Sequence, residues 1–179
     1  MSDFLGLDLS LTSTGYSCGH DRNVITTKCR GAERLHIIST EILRICTTLN
    51  IKAVAIEGYS FSSRNSQAHS IGELGGAVRM RLWEHAIPFV DIPPTCRAKF
   101  ASGRGNAGKG EVMSAVSAKT GLVFSGAGAD DVCDAYVLEE MIRYKFGCHR
   151  HEWASVNLSS LDKVDWSPID FLLPTNVKG

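Results

Sequence analysis

Hydrophobic positions along the chain switch repeatedly between a period of two, short unbroken apolar runs, and a helical period. Phe4 to Asp8 reads as a strand, Thr14 to Gly19 as its hairpin partner and Val24 to Cys29 as a third strand, with Asp21-Arg22-Asn23 supplying turn chemistry. Ala32 to Leu49 carries Leu35, Ile38, Ile42, Leu43, Ile45, Cys46 and Leu49 at helical spacing. Ala53 to Ile56 is a short, wholly apolar strand ending at Glu57. Gln67 to His85 is a second helix with Ile71, Leu74, Val78 and Leu82 as its stripe. Gly72, Gly75 and Gly76 interrupt it, at about 1 kcal/mol each relative to alanine. Such glycines predict close approach of another helix. Pro88 to Ile92 is a last strand, stopped by Pro93-Pro94. Residues 95 to 108 read as a Gly-rich loop, Gly110 to Thr120 as a third helix, and Ala129 to Phe146 as a fourth with Asp130 as its N-cap. The order fits an α/β fold, a mixed sheet with helices on both faces. Residues 150–179 hold Trp153, Trp166, Pro168, Phe171 and Pro174 without a period, and read as an irregular appendage packed by its aromatics.

Four carboxylates stand out against this pattern. Asp8 and Glu57 each end an apolar strand, so both emerge at a sheet edge. Asp131 and Asp134 are three apart at the start of a helical pattern and share one helix face. Carboxylates delivered to one rim by two strands and a helix repel one another unless a cation neutralises them, and hard divalent cations such as Mg²⁺ prefer oxygen ligands. The set predicts metal-dependent phosphodiester cleavage, in which two ions activate water and stabilise the leaving oxygen. Asp8 is the natural bridging ligand, with Glu57, Asp131 and Asp134 completing the two shells. Taken singly, Asp8 also reads as a turn-forming residue after a strand, and Asp131 as a first-turn acid favoured by the helix dipole.

The same residues resemble the RuvC branch of the RNase H-like nucleases, the Holliday junction resolvases. Gly6-Leu7-Asp8-Leu9-Ser10 with Thr12-Ser13-Thr14-Gly15 is similar to that family's opening motif, and Ile56-Glu57 with Gly72-Glu73 to its second. Pro93-Pro94, the run Gly103 to Ala107 and Lys109 resemble its basic loop, and Asp131 to Ala135 its closing helix. The resemblance covers about residues 3 to 145. It implies a five-stranded RNase H-like sheet, a nuclease domain over residues 1–149, two Mg²⁺ ions with Mn²⁺ able to substitute, and branched DNA as substrate. It places DNA-contacting lysines near Lys109 and Lys99. Arg97 and Arg104 lie in the same basic stretch, and Tyr59 and Phe61 follow Glu57 where aromatics can stack on opened bases. The position that matches the family's wedge aromatic is Ser60.

Composition constrains this reading little. The chain has 179 residues, 44% hydrophobic and 21% charged, enough for one domain with a real core. Lys and Arg number 19 and Asp and Glu number 19, so the balance itself predicts nothing about DNA. Residues 95 to 119 nevertheless hold Arg97, Lys99, Arg104, Lys109 and Lys119 against Glu111 alone. No apolar stretch approaches the roughly 20 residues a membrane span needs, and no secretory signal is visible at the N-terminus. The six cysteines form no Cys-x-x-Cys pair and sit mostly in apolar patterns, which fits a reducing cytoplasm. Cys148-His149-Arg150-His151 lacks a second half for zinc and reads as a surface segment at a helix end.

Four functional expectations compete. The first is a structure-selective endonuclease that resolves four-way junctions, which needs two active sites and therefore a C₂ homodimer, with the glycine-bearing helix as interface. The second keeps the nuclease site but takes flaps, forks or strand ends. The third reads Gly6-Leu7-Asp8 and Ser10 to Gly15 as the phosphate loop of a sugar-kinase or actin-like ATP-binding protein, which would require a second similar half and a glycine-rich adenosine motif that 179 residues do not supply. The fourth is a catalytically silent DNA-binding scaffold, against which the intact carboxylate set argues.

Overall fold

The computed structural model describes residues 3–58 and 66–172, with side chains from residue 69 onward in the second stretch. Five strands form one sheet: β1 (Phe4–Asp8), β2 (Thr14–Cys18), β3 (Asp21–Ile25), β4 (Ala53–Glu57) and β5 (Phe89–Ile92), in the order β3-β2-β1-β4-β5. β1, β2 and β3 pair antiparallel, whereas β4 and β5 continue the sheet parallel to β1. The mixed sheet predicted from the patterning is present.

Strand alternation sends successive residues to opposite faces, and two cores result. Leu5, Leu7, Val54 and Ile56 face α1 (Gly31–Thr48) and α2 (Ser66–Glu84) and pack with Ile38, Ile42, Leu74, Val78 and Leu82. Phe4, Ala53, Ala55, Val90 and Ile92 face the other way, onto α5 (Ala129–Lys145). Gly6 lies on this second face, and α5 lies directly on it: a Cβ at Gly6 would sit 2.0 Å from Ala135 O and 2.6 Å from Glu139 N. A Cβ at Gly15 on β2 would sit 2.1 Å from Asp131 O. The glycine of Gly6-Leu7-Asp8 is therefore required by a helix backbone resting on the strand.

Several boundaries differ from the sequence expectation. β3 begins earlier than Val24, because Gly19, at φ 65°, forms the turn with His20. Asp21, Arg22 and Asn23 thus become strand residues paired with Cys18, Ser17 and Tyr16. Residues 95 to 108 are not all loop: α3 spans Pro94–Ser102, and α4 (Lys109–Thr120) follows. Pro94 at its first turn and Gly103 in the left-handed conformation (φ 82°) bracket α3 as helix punctuation. Asp130 does not cap α5. The N-cap is Gly128 at φ 76°, and Asp130 lies one residue inside the helix, paired with Lys109. Of the three glycines of α2, Gly75 is buried with Leu74, Val78 and Leu82, whereas Gly76 is exposed and Gly72 half-buried. A side chain at Gly72 or Gly76 would meet no described atom within 4 Å.

Residues 153–172 carry α6 (Ser155–Leu158) and two 3₁₀ turns, and contribute Trp153, Val164, Trp166 and Ile169 to the α5-side core. A buried ionic cluster joins the start of this segment to the sheet. Glu139 and Glu140 on α5 are both fully buried. Glu139 accepts hydrogen bonds from Ser17 Oγ (2.7 Å), the Gly19 amide (2.8 Å) and Arg143 Nε (2.7 Å). Glu140 accepts from the Arg150 and His151 amides (2.8 and 3.1 Å) and from Arg150 Nε (2.9 Å). The Arg150 guanidinium also donates to Gly19 O at 3.1 Å and lies 4.6 Å over the Tyr136 ring. Cys148 is exposed at the helix end, as expected, whereas His149, Arg150 and His151 are half-buried, with Arg150 turned toward the sheet.

Candidate metal centre

The strand alternation that sets the core also builds the site. Phe4, Gly6 and Asp8 share one face of β1, and Ala53, Ala55 and Glu57 share the same face of β4. Leu7 pairs with Ile56 in the parallel register, so Asp8 and Glu57 are neighbours one residue beyond, at the carboxyl edge of the sheet and on the α5 side. Because α5 sits against Gly6 and Gly15, its first turns bring Asp134 over that edge. Ligand oxygens of Asp8, Glu57 and Asp134 all lie within 4.8 Å of one another.

Asp131 is placed differently. Among the described residues the three-carboxylate group does not include it, and its Oδ1 lies 3.7 Å from Lys109 Nζ, which also contacts Asp130 at 2.5 Å. Lys109 is the first residue of α4, not a loop residue. Arg97 is the larger surprise. It projects from α3 into the acidic group, with Nε donating to Glu57 Oε1 at 3.0 Å and Nη1 contacting Asp134 Oδ1. Its side chain is only 11% exposed, so it lies inside the site rather than on a basic surface loop. Lys99 is half-buried on α3, and Arg104 lies beyond that helix, exposed and paired with Glu111 at 3.3 Å. Tyr59 and Phe61 lie outside the described residues.

Burial and crowding raise the carboxyls' affinity for protons. Asp8 is pushed well above the usual carboxylate range, chiefly by burial and then by the charge of Glu57 and a hydrogen bond to it. Burial pushes Asp134 up to about 7, against the pull of Arg97. A crowded, largely shielded all-oxygen set is the donor chemistry a hard divalent cation satisfies. The residues present fit such an ion.

A pH dependence follows. Between about 4 and about 7 the unfolded chain has lost the Asp134 proton while the folded, metal-free site keeps it. The folded state then binds more protons, so its stability falls as pH rises. With EDTA present, the wild type should lose Tm relative to Asp134→Asn across this window, by a free energy of at most roughly 4 kcal/mol. Divalent metal should remove the difference. Parallel Tm profiles for the two proteins in EDTA would contradict the electrostatics of the site.

No protein-family model matches the chain. Among curated proteins it is 29% identical over 142 residues to the crossover junction endodeoxyribonuclease RuvC of Synechococcus sp. (strain CC9902), covering 73% of this chain and 91% of that protein. The RuvC of Parasynechococcus marenigrum (strain WH8102) matches with the same identity and coverage. Among solved structures, Thermus thermophilus RuvC superposes with a TM-score of 0.65 at 22% identity, covering 83% of this chain and 99% of that one. T. thermophilus RuvC in complex with a Holliday junction substrate gives 0.66 at 22% identity, over 85% and 100% of the two chains. The yeast mitochondrial Holliday junction resolvase Ydc2 is more distant, at 0.52 and 13% identity, over 77% and 76%. The chain is RuvC-like in sequence and has the RNase H-like fold of that protein.

Proposed function

We propose that this RuvC-like chain is a metal-dependent endodeoxyribonuclease that resolves four-way (Holliday) junctions by paired phosphodiester cleavage. The observation that carries the reading is the convergence of Asp8, Glu57 and Asp134 within 4.8 Å at the sheet edge where Asp131 and Lys109 also meet. Similarity to proteins named crossover junction endodeoxyribonucleases, and to a RuvC solved on a Holliday junction, supports the substrate class.

In this reading Asp8, Glu57 and Asp134 hold Mg²⁺, and Asp131 completes the set for a second ion, with Mn²⁺ able to substitute. Bound divalent ions supply an activated water and stabilise the leaving oxygen. The protein's own work is positional. β1 and β4 fix Asp8 and Glu57 side by side, and α5 fixes Asp134 against them. Lys109 brings a cation to the rim for a phosphate oxygen, and Lys99 and Arg104 extend the basic approach from α3 and the turn after it. The nuclease unit occupies residues 1–149 in this reading, with 150–179 as its C-terminal addition. In this reading the protein works in the cytoplasm, and Cys18, Cys46, Cys96 and Cys133, buried thiols that pack as small hydrophobes, suit a reducing compartment.

Paired strand cuts require two sites, and α2 offers the surface that would align them. Gly72, Gly76, Met80 and Trp83 follow one another at four- and three-residue spacing on one helix face, and Met80 and Trp83 are 56% and 77% exposed. The opposite face, Leu74, Val78 and Leu82, is fully buried on the sheet side. A C₂ dimer through the outward stripe would bring a partner helix against Gly72 and Gly76, where an added Cβ would meet no described atom within 4 Å. Gly76→Leu is expected to leave the protomer folded, with its helix strengthened by up to about 1 kcal/mol. Dimer dissociation should rise at least about tenfold, and the two nicks should become uncoupled. Light scattering showing an unchanged dimer in this variant would refute the interface.

The function itself is tested by incubating the protein and Mg²⁺ with labelled four-way, forked, flapped and linear duplex DNA. Symmetric paired nicks confined to the four-way junction are expected. Preferential cutting of forks, flaps or ends would replace the resolution reading by a different structure-selective nuclease.

A further inference from the structure

Arg97 takes a position that neither phosphate binding nor surface solubility explains. Its guanidinium is wedged among the carboxylates, bonded to Glu57 on β4 and to Asp134 on α5 at once. Those two residues belong to the three-carboxylate group, and their side chains are 14% and 4% exposed. The helix that carries Arg97 is firmly held. Phe100 packs on Trp153 with ring centroids 4.7 Å apart, and Phe100 O accepts a hydrogen bond from Asn157 Nδ2 at 2.7 Å. Cys96, Ala98, Phe100 and Ala101 are buried in the α5-side core. Arg97 is therefore presented to the carboxylates from a fixed base, and only its side chain is free to move.

We propose that Arg97 is an internal counter-cation that closes the metal centre when it is empty and is exchanged for the divalent ion when the centre fills. The inference rests on the metal-binding reading of Asp8, Glu57 and Asp134. Three carboxylates this close, one buried and two half-buried, repel one another unless compensated, because an unpaired charge withdrawn from water is destabilising. The guanidinium supplies that compensation with two of its fork donors. The same carboxylate oxygens cannot serve the guanidinium and coordinate a small ion fully at the same moment, so the ion and the arginine compete. Apparent metal affinity is then lowered by the fraction of molecules in which the arginine is withdrawn. Once withdrawn, its delocalised charge and five donors lie at the rim of the site, where a phosphodiester oxygen would be met. Metal and DNA should then bind with positive coupling, each favouring the withdrawn arginine.

The test is a calorimetric titration of the full chain with MnCl₂ and with MgCl₂, without DNA, on the wild type, Arg97→Gln and Arg97→Lys. A second readout is Tm in EDTA. Arg97→Gln is expected to bind metal at least about tenfold more tightly, while melting earlier than the wild type in EDTA and recovering when metal is added. Arg97→Lys keeps the charge without the two-pronged fork and should fall between the two. A merely structural arginine would give the opposite sign, because carboxylates left badly placed bind metal more weakly. Equal or weaker affinity in a folded Arg97→Gln, with wild-type binding intact, would overturn the exchange and leave the metal centre standing. No binding to any of the three proteins would overturn the metal centre and the exchange together. If Arg97→Gln fails to fold, Arg97→Lys decides: affinity equal to or below the wild type ends the proposal, and a gain sustains it.

Discussion

Replacing Asp8 by asparagine is expected to remove cleavage almost entirely while making the metal-free protein more stable, not less. The substitution keeps the shape and deletes one of three crowded charges. Asp8 already resists ionising in the folded state, because of its burial and of Glu57 beside it. A neutral isostere therefore costs little and relieves repulsion at neutral pH. Loss of a ligand from the ion-holding set should cost about 4 kcal/mol of transition-state stabilisation, or roughly 10³-fold in rate. Nicking of a labelled junction, metal titration and Tm in EDTA should be measured together. Wild-type nicking would remove Asp8 from the site. A fall in Tm in EDTA would mean that Asp8 holds the fold together rather than straining it.

Gly6→Ala is expected to be the most damaging single-methyl change in the chain. The added carbon would meet Ala135 O at 2.0 Å and Glu139 N at 2.6 Å, both backbone atoms of a helix buried along most of its length. No side chain can rotate away, so β1 and α5 must separate. Overpacking of a rigid contact costs typically 1–3 kcal/mol and sometimes more, and here at least about 3 kcal/mol is expected. Residual folded protein should also cleave poorly, since the same helix delivers Asp134 to Asp8. Gly15→Ala, at 2.1 Å from Asp131 O, should behave alike. Gly110→Ala, with no described atom within 4 Å, is the control and should be neutral or stabilising. Urea denaturation of the three variants ranks them. A Gly6→Ala protein within 1 kcal/mol of the control would show that α5 does not lie where its contacts place it.

The carboxylates were legible in the sequence because strand endings and helix starts are short-range signals. Asp8 and Glu57 each follow an unbroken apolar run, and Asp134 sits one helical turn into an apolar helix. The reason for Gly6 was not legible, because it depends on a helix some 130 residues later in the chain coming to rest on β1. Helix α3 escaped the periodicity reading because its buried face is made of small residues and one Phe: Cys96, Ala98, Phe100 and Ala101. These positions draw no regular apolar stripe. Its punctuation, Pro94 and Gly103, is present in the sequence, but Gly103 also opens the Gly-rich run that follows. Without that helix Arg97 is one of several basic residues in the stretch, and its insertion between Glu57 and Asp134 follows only from where α3 sits on the core. Equal spacing also hid the difference between Asp131 and Asp134. Both lie on one face of α5, yet Lys109 at the start of α4 engages only the first.

The buried cluster around Glu139 bears on how the molecule is assembled in time. Its hydrogen bonds tie Gly19 to Glu139 and Arg150 to Gly19 across 120 and 131 positions of chain. Local hairpins and helices form on microsecond scales, but contacts of such separation form only after a large loop has closed against its entropy. Until then Glu139 has only Arg143 of its own helix as partner, and α5 has no strand to rest on. The carboxylate of Asp134 likewise meets Asp8 and Glu57 only once α5 has docked on β1 across that long loop. A partly folded chain then holds no assembled acidic centre, and its hydrolytic potential is withheld until the whole topology is in place.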